Sequence, residues 1–136
     1  MVKRYVDVNV FVYWLCGHPS FGRRAKYWIE RMEKEGDYVT STLTLYETLV
    51  TVAGLTKKSL REKEFVKTVI RSITGLKGLK IEPLIKEDFA RGVEIMNDAG
   101  LDYEDSLHSA VALRKNVEEL VSNDRDFNKT KVKRVF

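Results

Sequence analysis

Cysteine is almost absent from this sequence of 136 residues, because Cys16 is the only one. A single cysteine cannot form an intrachain disulfide, which fits a protein of a reducing compartment. Since Cys16 lies in an apolar run, we expect it to be a core residue. One cysteine and two histidines without ligand spacing also disfavour a zinc site.

Proline is scarce as well, and the sequence has no repeat, low-complexity tract or linker. Its length fits one hydrophobic core, so we expect a single domain over residues 1–136. No apolar run is long enough to span a bilayer. The apolar stretch near the start is interrupted by Asp7 and Asn9, and no cleavage site of small residues follows it. We therefore expect no signal peptide, no membrane association and a cytoplasmic location.

Charged side chains of both signs are common, and 24 Lys and Arg against 20 Asp and Glu give a net charge of +4. Such mild basicity is compatible with a polyanionic partner, and many unrelated proteins share it. Basic residues recur every four positions on one predicted helix, at Lys63, Lys67 and Arg71. This spacing is typical of a solvated helix face, and a stripe that contacts phosphates is the alternative. A second basic cluster consists of Arg23, Arg24 and Lys26.

Predicted strands alternate with predicted helices along the whole sequence. The strands are expected at residues 3–8, 38–41, 79–84, 118–122 and 132–136, where β-branched and aromatic residues are concentrated. This alternation predicts an α/β fold whose mainly parallel central sheet of four to five strands is covered by helices. Binding sites in such folds gather at the carboxyl ends of strands, so acidic residues at those ends are candidate site residues.

Two candidate acids stand among apolar neighbours. Asp7 ends the first predicted strand, where a carboxylate is costly unless it is paired or bound to a cation. Its alternative role, which Asn9 shares, is to cap the turn that follows. Glu47 is the only charged residue between Asp37 and Lys57, near the start of a mostly apolar helix. It is either functional or favoured there by the helix dipole.

Two further acids have ready local explanations. Asp105 follows Asp102 by three residues at the start of a predicted helix, which resembles a capping box. His108, one turn later, is more typical of a packing or hydrogen-bonding residue than of a ligand. Asp124 follows a predicted strand in a turn rich in Asn and Asp, whose side chains bond to their own backbone. Asp126 is an alternative to Asp124 in the same turn.

The four acids Asp7, Glu47, Asp105 and Asp124 are expected at one edge of the sheet. Carboxylates gathered in one cleft raise one another's pKa values unless a cation neutralises them. Oxygen ligands without nitrogen or sulfur suit Mg²⁺ or Mn²⁺. The pattern therefore predicts a divalent metal site.

Four short motifs in the order of one known family span almost the whole sequence. They are residues 5–10 (Tyr-Val-Asp-Val-Asn-Val), 41–47 (Ser-Thr-Leu-Thr-Leu-Tyr-Glu), 100–108 (Gly-Leu-Asp-Tyr-Glu-Asp-Ser-Leu-His) and 120–127 (Leu-Val-Ser-Asn-Asp-Arg-Asp-Phe). On these motifs the sequence resembles PIN-domain ribonucleases, particularly the VapC-like toxins of prokaryotic toxin–antitoxin systems. The resemblance implies a three-layer α/β/α sandwich.

The resemblance also implies a function and a set of site residues. Asp7, Glu47, Asp105 and Asp124 would be the catalytic and metal-binding quartet, and the supporting residues would be Asn9, Ser122 and Asp126. The implied reaction is hydrolysis of RNA phosphodiesters with Mg²⁺ or Mn²⁺. Candidate RNA contacts are then Lys63, Lys67 and Arg71. An antitoxin partner and a homodimer are further implications of the family.

Three rival functions remain to be compared with this hypothesis. The first is a non-catalytic RNA- or protein-binding module on the same fold. The second is an aspartyl-phosphate phosphatase, whose usual Asp-x-Asp motif is broken here by Asn9. The third is a phospho-acceptor receiver domain. That function would require an Asp after the third strand and a Lys near the fifth, and this sequence has no obvious candidate for either.

Overall fold

The computed structural model describes residues 2–136, so Met1, the first residue of the predicted domain, lies outside the described residues. Strands and helices alternate through this part of the chain. The strands are β1 (Arg4–Val6), β2 (Tyr38–Ser41), β3 (Leu79–Glu82), β4 (Glu119–Val121) and β5 (Lys133–Val135). The α-helices are α1 (Val8–Cys16), α2 (Gly22–Glu35), α3 (Thr42–Thr56), α4 (Lys63–Thr74), α5 (Lys86–Ala99) and α6 (Tyr103–Arg114). A 3₁₀ helix, Arg125–Lys129, lies between β4 and β5.

The five strands form one parallel sheet in the order β3-β2-β1-β4-β5. In the register of the central strand, Arg4 lies opposite Tyr38 of β2 and Glu119 of β4. The predicted mainly parallel sheet of four to five strands is therefore confirmed.

Successive residues of the central strands face opposite sides of the sheet, as strand geometry requires. Val6 packs in a buried cluster with residues of α1, α2 and α4. Tyr5 packs on the other side with Val111 and Ala112 of α6. Helices thus cover both faces of the sheet, and the central strands β1 and β2 are buried along their whole length.

The first strand and helix differ from the sequence prediction. The strand ends at Val6 rather than Val8, because α1 already begins at Val8. This helix buries Val10 and its two successors, whereas Cys16 at its last position is exposed. The expectation that Cys16 is a core residue is therefore wrong, since an apolar run does not show which side of a helix faces the core.

The carboxyl ends of β1 and β4 meet at the middle of the sheet. The backbone N–H of Asp7 donates to the carbonyl of Val121 at 3.0 Å. This contact places Asp7 beside Ser122, the first residue after β4. Within residues 2–136, no helix combines the length and apolar character that a membrane-spanning segment requires.

Candidate metal centre

Asp7 follows β1 directly and occupies the N-cap position of α1, but its side chain makes no capping hydrogen bond. Instead, Ser122 Oγ donates to Asp7 Oδ2 at 2.7 Å, and Asn9 Nδ2 donates to the same oxygen at 3.3 Å. Asn9 Nδ2 also lies 3.1 Å from Ser122 Oγ. Asp7 is only 6% exposed, and its hydrogen bonds to Ser122 and Asn9 fix the orientation of its carboxylate.

Glu47 lies in the second turn of α3, and its side chain is 14% exposed. Its Oε1 is 2.6 Å from Nε2 of His108 on α6. The same nitrogen lies 3.9 Å from Oδ1 of Asp7. His108 therefore holds Glu47 near Asp7, although the two acids lie on different elements.

His108 is buried, and its other ring nitrogen also has a partner. Nδ1 is 2.7 Å from the hydroxyl of Tyr5, which donates to Ser41 Oγ at 2.9 Å. Burial opposes the charged imidazole, but Tyr5, the hydrogen bond to Glu47 and the carboxylate of Asp7 raise the pKa of His108 well above its ordinary value. The protonated ring donates from Nε2 to Glu47 and from Nδ1 to Tyr5. The interpretation of His108 as a hydrogen-bonding residue rather than a ligand agrees with these contacts.

Asp105 stands in the first turn of α6. Its N–H donates to Oδ1 of Asp102 at 2.8 Å, so one half of the predicted capping box is present. Among residues 2–136, the reciprocal hydrogen bond from the Asp102 N–H to the Asp105 carboxylate is not found. The cap therefore explains the position of Asp105 without occupying its carboxylate.

Asp124 is the N-cap of the 3₁₀ helix, where its Oδ1 accepts a hydrogen bond from the Asp126 N–H at 2.9 Å. The predicted turn role is thus confirmed, and it uses one carboxylate oxygen. One carboxylate oxygen from each of Asp105, Asp124 and Asp126 lies within 4.8 Å of the others. Asp126 is exposed and its carboxylate is 3.7 Å from Nζ of Lys129. It stands at the solvent side of the acidic cluster.

Three of the four predicted acids line one open cleft. This acid cleft, of about 370 Å³, includes Asp7, Asp105, Asp124, His108 and Tyr13 in its wall. Glu47 lies behind His108 rather than on the wall. The fold therefore brings the quartet to one region, with three members facing the cleft and the fourth held behind it.

The carboxylates of the cleft are crowded. Burial raises the pKa of Asp7, and Glu47 adds to this effect while His108 and Ser122 oppose it. Burial, followed by the charges of Asp102, Asp124 and Asp7, raises the pKa of Asp105 to about 7. A divalent cation would relieve this repulsion, and both nitrogens of His108 are already bonded. The available donors are therefore oxygens, which fit Mg²⁺ or Mn²⁺.

Several residues of this site were not anticipated from the sequence. Asn123 donates from its backbone to Asn9 Oδ1 at 3.2 Å and from Nδ2 to the Tyr13 hydroxyl at 3.2 Å. Glu104 also lines the cleft. A signal for Tyr13 existed, because it follows Asn9 by four residues and so shares its face of α1.

The basic residues at Lys63, Lys67 and Arg71 are exposed on α4. They line a separate groove with apolar residues such as Val66 and Ile70. This groove has no lining residue in common with the acid cleft. The stripe and the acids thus line two separate depressions.

The fold and the acid cleft agree with the family found by comparison with known proteins. The chain belongs to the PIN domain family, whose model matches residues 4–133. No curated protein matches the sequence.

Solved structures with the same fold include a toxin and chains of larger complexes. VapC20 of Mycobacterium tuberculosis, described as a sarcin–ricin loop cleaving toxin, is 15% identical with a TM-score of 0.76, and the match covers 96% of each chain. A chain of a toxin–antitoxin complex from Klebsiella pneumoniae is 19% identical with a TM-score of 0.72, over 98% of this chain and 97% of that one. A chain of VapBC2 from Rickettsia felis, bound to a promoter DNA fragment, is 20% identical with a TM-score of 0.69, over 98% of both chains. These likenesses confirm the predicted PIN-like α/β/α sandwich.

Proposed function

We propose that this protein is an endoribonuclease that depends on Mg²⁺ or Mn²⁺ and hydrolyses RNA phosphodiesters. One observation carries the proposal: Asp7, Asp105 and Asp124 line one cleft, while His108 holds Glu47 behind it. Such a set of crowded and at least half-buried carboxylates is costly to assemble without a cation. Membership of the PIN domain family supports the same conclusion.

The metal ligands in this proposal are Asp7, Asp105 and Asp124 on the wall of the cleft, and Glu47 completes the set from behind His108, directly or through water. A bound divalent cation supplies the positive charge that acidifies water and offsets the charge developing on the phosphate. The remaining residues orient the carboxylates. Ser122 and Asn9 hold Oδ2 of Asp7, and the His108 Nε2–H holds Oε1 of Glu47. Asp126 extends the cluster toward solvent.

We further propose that the chain is the toxin of a toxin–antitoxin pair and acts in the cytoplasm. A cognate antitoxin protein would bind it, and the toxin itself would form a homodimer. Support comes from family membership and from the likeness in fold to VapC20 and to chains of toxin–antitoxin complexes.

The decisive experiment incubates the purified protein with total cellular RNA in Mn²⁺, in Mg²⁺ and in EDTA, and maps the ends of the products. We expect cuts only with a divalent cation, leaving 5′-phosphate and 3′-hydroxyl ends. Asp7→Asn should abolish cleavage while the protein stays folded. Asp98→Asn, the same change at an exposed acid of α5, should cleave normally.

Two outcomes contradict this proposal. Binding of RNA without cleavage under every metal condition would make the protein a binding module instead. Full activity in purified, metal-loaded Asp7→Asn would remove Asp7 from the site.

A further inference from the structure

Four aromatic rings pack together beside the acid cleft. We call Tyr13, His18, Phe21 and Phe136 the aromatic cluster. The ring centroid of Tyr13 lies 4.8 Å from that of His18 and 5.2 Å from that of Phe21. His18 and Phe21 stack at 5.0 Å with an interplanar angle of 27°. Phe136 meets Tyr13 and Phe21 edge-on.

The cluster is held in place by backbone and side-chain hydrogen bonds. Gly17 ends α1 with a left-handed φ of 61°, which turns the chain toward α2. In that turn, Nδ1 of His18 accepts hydrogen bonds from the backbone N–H groups of Ser20 and Phe21, each at 3.1 Å. Asn123 Nδ2 holds the hydroxyl of Tyr13. Rings fixed in this way lose little conformational entropy when a ligand binds.

This cluster continues the wall of the acid cleft. Tyr13 lines that cleft together with Asp7 and Asp124. Phe21, the next ring outward, is 37% exposed. Aromatic rings therefore lead from the half-buried Tyr13 beside the carboxylates to the exposed Phe21.

Basic residues border the aromatic cluster at the start of α2. A depression of about 300 Å³ beside it is lined by residues that include His18, Arg23 and Lys26. Arg24 donates to the backbone oxygen of Phe136 at 2.6 Å, and Nζ of Lys26 is 4.0 Å from Glu30. In the described part of the chain, Arg23 has no ion-pair partner. The surface thus combines an exposed ring with positive charge, as single-stranded nucleic-acid sites do.

We propose that the aromatic cluster is a base-stacking subsite for single-stranded RNA. Phe21 stacks on an unpaired base that flanks the scissile phosphodiester, and Arg23 and Lys26 contact neighbouring phosphates. This inference rests on the proposed ribonuclease function, since it assigns the acid cleft to RNA. Duplex RNA does not fit, because its bases are already stacked and paired.

The test measures binding without cleavage, in EDTA, by the fluorescence anisotropy of a labelled single-stranded RNA of ten nucleotides. Phe21→Leu keeps apolar volume and removes the ring, and it should weaken binding about tenfold. Phe21→Tyr retains a ring and should bind within about twofold of the unchanged protein. Phe89→Leu makes the same change at an exposed position of α5, on the other side of the sheet, and should have no effect.

Salt dependence separates stacking from charge. Phe21→Leu should leave the slope of log K against log salt unchanged. Reversing Arg23 and Lys26 to Glu should reduce that slope by about 1.4, because each phosphate contact to a single strand contributes about 0.7. A second measurement needs no variant. In a series of RNAs that each carry 2-aminopurine at a different position, the fluorescence should be quenched at one position, where the base stacks on Phe21.

The subsite is overturned if the protein binds no single-stranded RNA, if Phe21→Leu binds as the unchanged protein does, or if no 2-aminopurine position is quenched. An equal loss of duplex binding in Phe21→Leu also overturns it. Its failure is separable from that of the proposed function. If the unchanged protein cleaves RNA with Mn²⁺ and Phe21→Leu binds RNA normally, only the subsite is refuted. If RNA binding depends on the ring of Phe21 but no cleavage occurs, only the nuclease function is refuted.

Discussion

The Nε2 atom of His108 lies 2.6 Å from Oε1 of Glu47, and this contact joins α6 to α3 behind the acid cleft. Both side chains are largely buried. A buried charge is tolerated only with a partner, so each of these residues depends on the other. Since the same nitrogen also approaches Asp7, the histidine links the positions of two proposed metal ligands.

Replacing His108 with Gln should therefore damage the site as well as the fold. We expect cleavage to fall by about 10- to 100-fold, as is typical when a residue that orients metal ligands is changed. Kinetics at several Mn²⁺ concentrations should show that the variant binds the metal more weakly and needs more Mn²⁺ to reach half of its maximal rate. Tyr5→Phe removes only the hydroxyl at Nδ1 and should have a smaller effect. Equal activity of His108→Gln and the unchanged protein would contradict the orienting role.

Ser122→Ala tests the support beneath Asp7. Ser122 Oγ donates to the carboxylate and accepts a hydrogen bond from the Asp124 N–H at 3.0 Å. Losing a hydrogen bond to a charged group should cost about 1.5–3 kcal/mol of folding free energy, and activity should fall about tenfold. Urea unfolding and RNA cleavage measure the two effects. Ser20→Ala, at an exposed serine, is the control, and an equal result for both variants would exclude the support role.

The sheet and the meeting of the acids could be predicted, because both follow from local patterns. Alternation of strands with helices implies a parallel sheet covered by helices, and strand ends imply one shared edge. This logic placed Asp7 and Asp124 at that edge, and in the structure both line the acid cleft. It could not find the contact between His108 and Glu47, which are 61 residues apart, because no sequence pattern gives the register of two helices. The exposure of Cys16 could not be predicted for a similar reason, because the side of α1 that faces the core depends on the elements packed against it.

Asp105→Asn should stabilise the metal-free protein at alkaline pH. The folded-state pKa of Asp105, about 7, exceeds the ordinary value of 3.8. The contribution of this carboxyl to stability is therefore fully present below about pH 4 and is lost as pH rises toward and through 7. Asn at this position carries no charge, so it has no ionisation that destabilises the folded state. In EDTA we expect its Tm to exceed that of the unchanged protein by about 3 °C at pH 8 and to match it near pH 4.

In Mn²⁺, the Tm of the unchanged protein should exceed that of Asp105→Asn. A cation that binds only the folded state raises Tm with its concentration, and the variant lacks one proposed ligand. Asp98→Asn, without acidic crowding, should follow the unchanged protein in both conditions. A gain in Tm for Asp105→Asn that does not depend on pH would show that charge crowding is not its cause.

Gly78→Ala should destabilise the connection that leads into β3. A Cβ at Gly78 would overlap the backbone carbonyl of Met32, which cannot move without shifting α2. We expect a loss of about 1–3 kcal/mol in unfolding free energy. Gly54→Ala is the matched control, because its Cβ would meet no atom within 4 Å, and a helical alanine should add about 0.5–1 kcal/mol. Equal stability of the two variants would refute the close approach.

Reversing Lys67 and Arg71 to Glu tests whether the groove of α4 contacts RNA. If both residues bind phosphates, single-stranded RNA should bind more weakly and the salt slope should fall by about 1.4. The control reverses Lys86 and Arg91, two exposed residues of α5. Each reversal lowers the net charge by two, so both double variants fall from +4 to 0 and share any effect of overall charge. Only a larger loss in the α4 variant assigns the stripe to RNA, whereas equal slopes identify it as a solvated helix face.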